Sequence, residues 1–224
     1  MVFIFDLDDT LYEEITFTYS GFNSVALYLS KKYNINASFL FEKLKRKQEI
    51  EGRGLLFDNV LKEIGHYSKK EVYKCIQICR YHKPQIILYN DVIPFFSKFK
   101  NVPKYIVTDG NKLVQKNKIK ELCLNKYMVQ SYPTRQFGIK YEKPSPFVFN
   151  LIASKEKVEP SKVIYFGDNP VKDFVGIKPL GFKTIRLLRG NYANIFLDEQ
   201  HEAHIAFKSF SEINENIINS LTNA

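Results

Sequence analysis

Acids, hydroxyls and a lysine recur in this chain just after apolar runs. Asp6-Leu7-Asp8-Asp9-Thr10 follows Val2–Phe5, and Thr108-Asp109-Gly110 follows Tyr105–Val107. Gly167-Asp168-Asn169-Pro170-Val171-Lys172-Asp173 follows Val163–Phe166, and Lys143-Pro144 makes a fourth segment. Asp6 and Asp8 stand two apart on a chain leaving a strand. Two carboxylates at one strand end are costly unless a cation or a proton compensates them. Magnesium suits such a pair, being a hard ion that takes oxygen ligands and keeps waters that a phosphate can replace. Thr108-Asp109-Gly110 precedes a helical pattern, and a hydroxyl with backbone N–H groups near a helix N-terminus is an anion site. Together the segments describe a pocket for one magnesium ion and one phosphoryl group.

The elements that must position these residues alternate. Val2–Phe5 reads as a central parallel strand, with similar runs at Tyr105–Val107, Val163–Phe166 and Thr184–Leu187 and weaker ones at Met128–Gln130 and His204–Phe207. Helical patterns lie at Val92–Lys100, Lys112–Leu122, Pro146–Ser154 and Ser211–Leu221. The class is therefore α/β with a mostly parallel sheet. Ligands of open α/β sheets bind at the carboxyl ends of the strands, so Asp6, Thr108 and Asp168 should face one crevice, with Lys143 arriving by loop. Ser145 is placed to cap a helix that starts at Pro146. Residues 14–84 carry only helical spacing: Phe22, Val25, Ala26, Leu29 and Tyr33, then Leu56, Val60, Leu61 and Ile64 with Gly65 as C-terminal cap, then Val72, Ile76 and Cys79.

The four segments resemble the four motifs of the haloacid dehalogenase-like superfamily, most of whose members are phosphatases; the resemblance runs from Met1 to about Lys208. It implies a Rossmann-like core, residues 1–13 and 85–224, flanked by helices, with a small all-helical cap domain at 14–84. By that resemblance Asp6 is the nucleophile that forms an aspartyl-phosphate, and Asp8 protonates the leaving oxygen and then acts as base toward water. Lys143 neutralises charge on the nucleophile and the transferring group. Thr108 and the Asp109 backbone N–H bind phosphate, while no catalytic role falls to the Asp109 carboxylate. Asp6, Asp8 and Asp168 hold Mg2+, with Thr10, Gly110 and Asn169 in support and Asp173 either supporting the metal shell or holding Lys143. Asp9 reads as a solvated turn residue. Thr108-Asp109-Gly110 followed by a helix bearing Gln115 and Lys118 looks most like superfamily phosphatases of nucleotides and acylated sugar phosphates.

The resemblance implies a magnesium-dependent phosphatase acting on a small soluble phosphomonoester such as a sugar, nucleotide or polyol phosphate. Two alternatives stay open: a sugar phosphomutase or phosphotransferase with the same nucleophile, and a non-catalytic binding protein on this fold. Arg53, between Gly52 and Gly54, is a candidate contact to an anionic or hydroxylated part of the substrate. The net charge of +9 suits anionic esters. Nucleic-acid binding is not expected, since Lys112, Lys116, Lys118 and Lys120 read as a solvated helix face. Three cysteines, an odd and sparse count, point to a reducing compartment and hence the cytoplasm. Cys75, Cys79 and His82 could share a helix face, but read as packing residues rather than ligands. No membrane span is expected, and a monomer or weak homodimer is the expected state.

Overall fold

The computed structural model describes residues 1–52 and 54–223. Six strands form one sheet: β1 (Val2–Phe5), β2 (Lys104–Thr108), β3 (Gln130–Pro133), β4 (Val163–Gly167), β5 (Lys183–Leu187) and β6 (Ile205–Phe207). Their order is β3-β2-β1-β4-β5-β6, and every neighbouring pair is parallel. β1 lies between β2 and β4, with Phe5 opposite both Ile106 and Phe166. That register ends the three strands nearly level. Asp6 comes one residue after its register point, and Thr108 and Asp168 come two after theirs.

The chain divides into two compact units, one of Met1–Glu14 with the residues from Ile87 on, the other Ile15–Ile86. The second unit is helical. It holds nearly all of α1 (Glu14–Tyr33), with α2 (Ala37–Glu51), α3 (Leu56–Glu63) and α4 (Lys69–Tyr81). Phe22, Val25, Ala26 and Leu29 of α1 pack with Leu40, Leu44, Val60, Leu61 and Cys75 in a core of their own. Ser68 caps α4, its hydroxyl accepting from the Glu71 N–H at 3.2 Å. Gly65, at φ 74°, closes α3: its N–H donates to Lys62 O and the next N–H, His66, to Leu61 O. This is a Schellman motif, in which a left-handed residue suits glycine.

In the first unit, α5 (Val92–Lys98), α6 (Lys112–Glu121), α7 (Phe147–Glu156) and α8 (Glu215–Asn223) accompany the sheet. Alternate residues of β1 serve opposite faces. Phe3 and Phe5 meet Phe95, Phe99, Phe166 and Phe210 in an aromatic cluster. Val2 and Ile4 join Val148, Phe149 and Ile152 of α7 and Phe174 on the other side. Among the described residues no helix is long and apolar enough to cross a membrane.

Three boundaries differ from the sequence expectation. The strand expected at Met128–Gln130 is Gln130–Pro133. It is an edge strand, so polar Gln130 and Ser131 are tolerated there, and apolarity points to the wrong residues. Pro146 occupies the N-cap of α7, which starts at Phe147, and Ser145 accepts only a long bond (3.4 Å) from the Phe147 N–H. Phe210 is buried within a 3-10 turn at Phe210–Glu212, so α8 begins only at Glu215.

Candidate active site

Asp6, Thr108 and Asp168 are all buried and line one cavity of about 420 Å³ beyond the ends of β1, β2 and β4, together with Asp8, Asp109 and Lys143. Lys143, whose peptide bond to Pro144 is cis, is buried. Its ammonium lies 2.9 Å from Asp6 Oδ1 and 2.7 Å from Asp173 Oδ1, and donates to the Tyr165 hydroxyl at 2.9 Å. Asp173 also accepts from Tyr165 Oη at 3.2 Å and from the Asn169 N–H at 2.9 Å. The carboxylate folds back so closely that a Cβ on Gly167 would lie 2.4 Å from Asp173 Oδ2, which restricts position 167 to glycine. Thr10 Oγ1 donates to Asp168 Oδ1 at 3.1 Å, tying the loop after β1 to the loop after β4.

Burial pushes the Asp6 carboxyl up to about 7, against the pull of Lys143 and Lys172. Burial with the charges of Asp173 and Asp6 pushes Asp168 well above the usual carboxylate range. Lys143 stays firmly charged, because Asp173 and Asp6 outweigh the burial that opposes its charge. For Asp8, burial is likewise overcome, here by the charge and hydrogen bond of Lys118 and by bonds from Tyr12 and Gln115, so its proton affinity is lowered.

A divalent cation fits this chemistry. Asp6, Asp168 and Asp173 each offer one oxygen, all within 4.8 Å of one another. Such an acidic cluster is costly without positive charge between its members. Asp173 is engaged through both oxygens by Lys143, Tyr165 and Asn169, whereas Lys143 and Thr10 meet only the Oδ1 oxygens of Asp6 and Asp168. Asp8, expected in the metal set, lies outside this group. Its carboxylate turns to α6, accepting from Lys118 Nζ at 2.7 Å and Gln115 Nε2 at 2.8 Å.

Several other expectations change on contact with the fold. Asp9 is not a solvated turn residue but buried, accepting from the Glu14 N–H at 2.8 Å and the Asn191 N–H at 3.3 Å. Lys118 is not on the solvated face: only Lys112, Lys116 and Lys120 are exposed. The Asn169 side chain accepts from the Val171 N–H at 2.9 Å, which shapes the turn, while its own backbone N–H donates to Asp173. The Gly110 N–H is already held by Glu142 Oε1 at 3.1 Å. The Asp109 carboxylate binds Thr134 Oγ1 at 2.7 Å, the Lys143 N–H at 3.1 Å and Lys172 Nζ at 2.8 Å. Arg53 lies outside the described residues. Lys172, which also lines the cavity, is not singled out by sequence reasoning; its sole signal is its place beside Asp173.

A parallel α/β sheet with an aspartate, a hydroxyl and a buried lysine converging at its carboxyl edge defines a Rossmann-like enzyme core. The model of the haloacid dehalogenase-like hydrolase family matches residues 3–187, and the chain belongs to that family. It is 26% identical over 205 residues to a glyceraldehyde 3-phosphate phosphatase of Methanocaldococcus jannaschii, with 88% of each chain covered. It is also 26% identical over 203 residues to one from Methanopyrus kandleri, covering 86% of this chain and 85% of that protein. Among solved structures, magnesium-bound YfnB of Bacillus subtilis superposes with a TM-score of 0.66 at 18% identity, covering 96% of this chain and 97% of that one. A 2-haloacid dehalogenase from Pseudomonas syringae gives 0.64 at 19% identity, covering 95% and 96%. These likenesses establish the shared fold.

Proposed function

We propose that this hydrolase is a magnesium-dependent phosphatase that cleaves a small soluble phosphomonoester through an aspartyl-phosphate on Asp6. The observation that carries the reading is the convergence of Asp6, Thr108, Lys143 and Asp168 on one cavity, with Lys143 Nζ 2.9 Å from Asp6 Oδ1. Magnesium, held by Asp6 and Asp168, would supply positive charge to the phosphoryl oxygens. Asp6 attacks phosphorus as the ester P–O bond breaks, and the departing oxygen takes a proton from Asp8. Water then adds to phosphorus and gives a proton to Asp8. The bond to Asp6 breaks, and inorganic phosphate leaves. Asp8 is ionised in the free protein, and the negative charge of an incoming phosphate beside it raises its proton affinity. Lys143 offsets charge on the nucleophile and the moving group, and the Thr108 hydroxyl orients the phosphate.

The curated relatives supply the first candidate substrate, glyceraldehyde 3-phosphate, within the broader class of sugar, nucleotide and polyol phosphates. The helical unit Ile15–Ile86 enters the chain directly after the Asp6–Thr10 loop, and we assign it the role of a cap that selects the leaving group. The test is phosphate release from a panel headed by glyceraldehyde 3-phosphate, with and without magnesium. Asp6→Asn should abolish release, because an amide does not attack phosphorus. Release that persists in Asp6→Asn, or that ignores magnesium, would overturn the mechanism.

A further inference from the structure

Two side chains of one helix grip Asp8. Gln115 and Lys118 stand three residues apart on α6 and are both buried, so they share one inward face. Lys118 Nζ donates to Asp8 Oδ1 at 2.7 Å, and Gln115 Nε2 donates to Asp8 Oδ2 at 2.8 Å. The Gln115 amide also donates to Thr108 Oγ1 at 2.6 Å. The Tyr12 hydroxyl also donates to Asp8 Oδ1, and the centre of its ring lies 5.9 Å from Lys118 Nζ. Both oxygens of one carboxylate are thus fixed, and one amide spans that carboxylate and the hydroxyl that orients phosphate. Burying a lysine and a glutamine costs several kcal/mol unless each is paired, and here each is paired to a residue that lines the cavity.

We propose that Gln115 and Lys118 are positioning residues for proton transfer at Asp8, holding its carboxylate in register with the phosphate bound at Thr108. The proposal rests on the phosphatase reading above. Proton transfer requires donor and acceptor within about 2.6–3.2 Å, and a displacement of about 1 Å can cost about 100-fold. An Asp8 released from α6 is free to rotate away from the ester oxygen. The loss falls on esters whose leaving group needs the proton. An alkyl phosphate departs as an alkoxide and needs it; p-nitrophenyl phosphate departs as a stable phenolate and does not.

The experiment compares kcat/KM for an alkyl phosphate and for p-nitrophenyl phosphate, because this ratio reports the step that forms the aspartyl-phosphate. Lys118→Met should lower the alkyl value by about 100-fold and the aryl value by less than about fivefold, while Gln115→Leu, which also frees Thr108, should lower both and the alkyl value by at least about tenfold more. Lys118→Arg, which keeps a donor, should restore most of the alkyl rate. Adding Lys118→Met to Asp8→Asn should cost nothing further on the alkyl ester. Equal losses on both esters, or additive losses with Asp8→Asn, would overturn the proposal and leave a packing role. If Lys118→Met does not fold, the same ratio in Gln115→Leu decides. A wild-type protein that releases phosphate from neither of these esters and from no member of the sugar, nucleotide and polyol phosphate panel would remove the phosphatase reading and this proposal with it. Turnover with unselective losses would remove this proposal alone.

Discussion

At the scale of single residues, two ammonium groups bear on Asp6. Lys143 contacts it directly, while Lys172 pairs with Asp109 at 2.8 Å and remains one-third exposed on the cavity wall. The charge of Lys172 nonetheless reaches Asp6, where it joins Lys143 in opposing burial. A partly exposed cation at a cavity wall is placed to meet the substrate's phosphate. Lys172→Met should therefore raise both KM and the inhibition constant for inorganic phosphate by about tenfold, equivalent to about 1.4 kcal/mol. Steady-state kinetics with phosphate as inhibitor would check it. If Lys172 serves only to hold Asp109, then Asp109→Asn will reproduce the effect, and an unchanged phosphate affinity removes Lys172 from the site. In the sequence, residues with unusual partners were hidden and residues in motifs were legible. Asp6, Thr108, Lys143 and Asp168 declare themselves because each follows an apolar run or a Lys-Pro turn. Lys118 and Lys172 look like any surface lysine, since what distinguishes them is a partner distant in the chain. The inward face of α6 does leave a trace: Gln115, Lys118, Ile119 and Leu122 are spaced by three, one and three. With two polar members, the stripe does not read as a buried one.

At the scale of elements, the central strands are legible because parallel strands buried on both faces read as apolar runs, even though β2 and β5 also bury Lys104, Thr184 and Arg186. β1, β2, β4 and β5 fall within a residue of the apolar runs. β3 does not, because an edge strand need bury only one side. The loops joining these strands carry constraints that no period encodes. Arg189 after β5 donates to Thr10 O at 3.1 Å and pairs with Asp91. Gly190 beside it has φ 60°, and a Cβ there would lie 2.1 Å from Asp9 Cγ. Asp9 in turn holds the Glu14 and Asn191 N–H groups. Gly190→Ala therefore combines a left-handed conformation with a direct collision. It should destabilise the protein by at least about 1–3 kcal/mol, read as a lower urea midpoint at unchanged m-value. The loop after β1 would be displaced with it, so phosphate release should fall as well. A variant of wild-type stability would mean that the Asp9 anchor yields freely.

At the scale of the whole molecule, the fold concentrates acids where its own cations do not balance them. The chain carries a net charge of +9, yet Asp6, Asp168 and Asp173 lie buried together, with the Lys143 ammonium in direct contact with Asp6 and Asp173. Uncompensated buried charge raises the free energy of the native state, and a cation bound only by that state lowers it by mass action. Magnesium should accordingly raise the melting temperature, with about 2.7 kcal/mol of stabilisation at a concentration 100 times its dissociation constant. Asp168→Asn separates two effects that are merged in the wild type. It removes one carboxylate from the repelling group, so without metal the variant should melt no lower than the wild type. It also removes a ligand oxygen's charge, so its melting temperature should stop responding to magnesium. Differential scanning calorimetry on both proteins, across a magnesium series at one pH, measures each part independently. A variant that melts lower without metal would show that Asp168 serves the fold through the Thr10 hydrogen bond more than it strains it. A variant that still responds to magnesium would take Asp168 out of the metal site and leave the cation to Asp6 and neighbours other than Asp168.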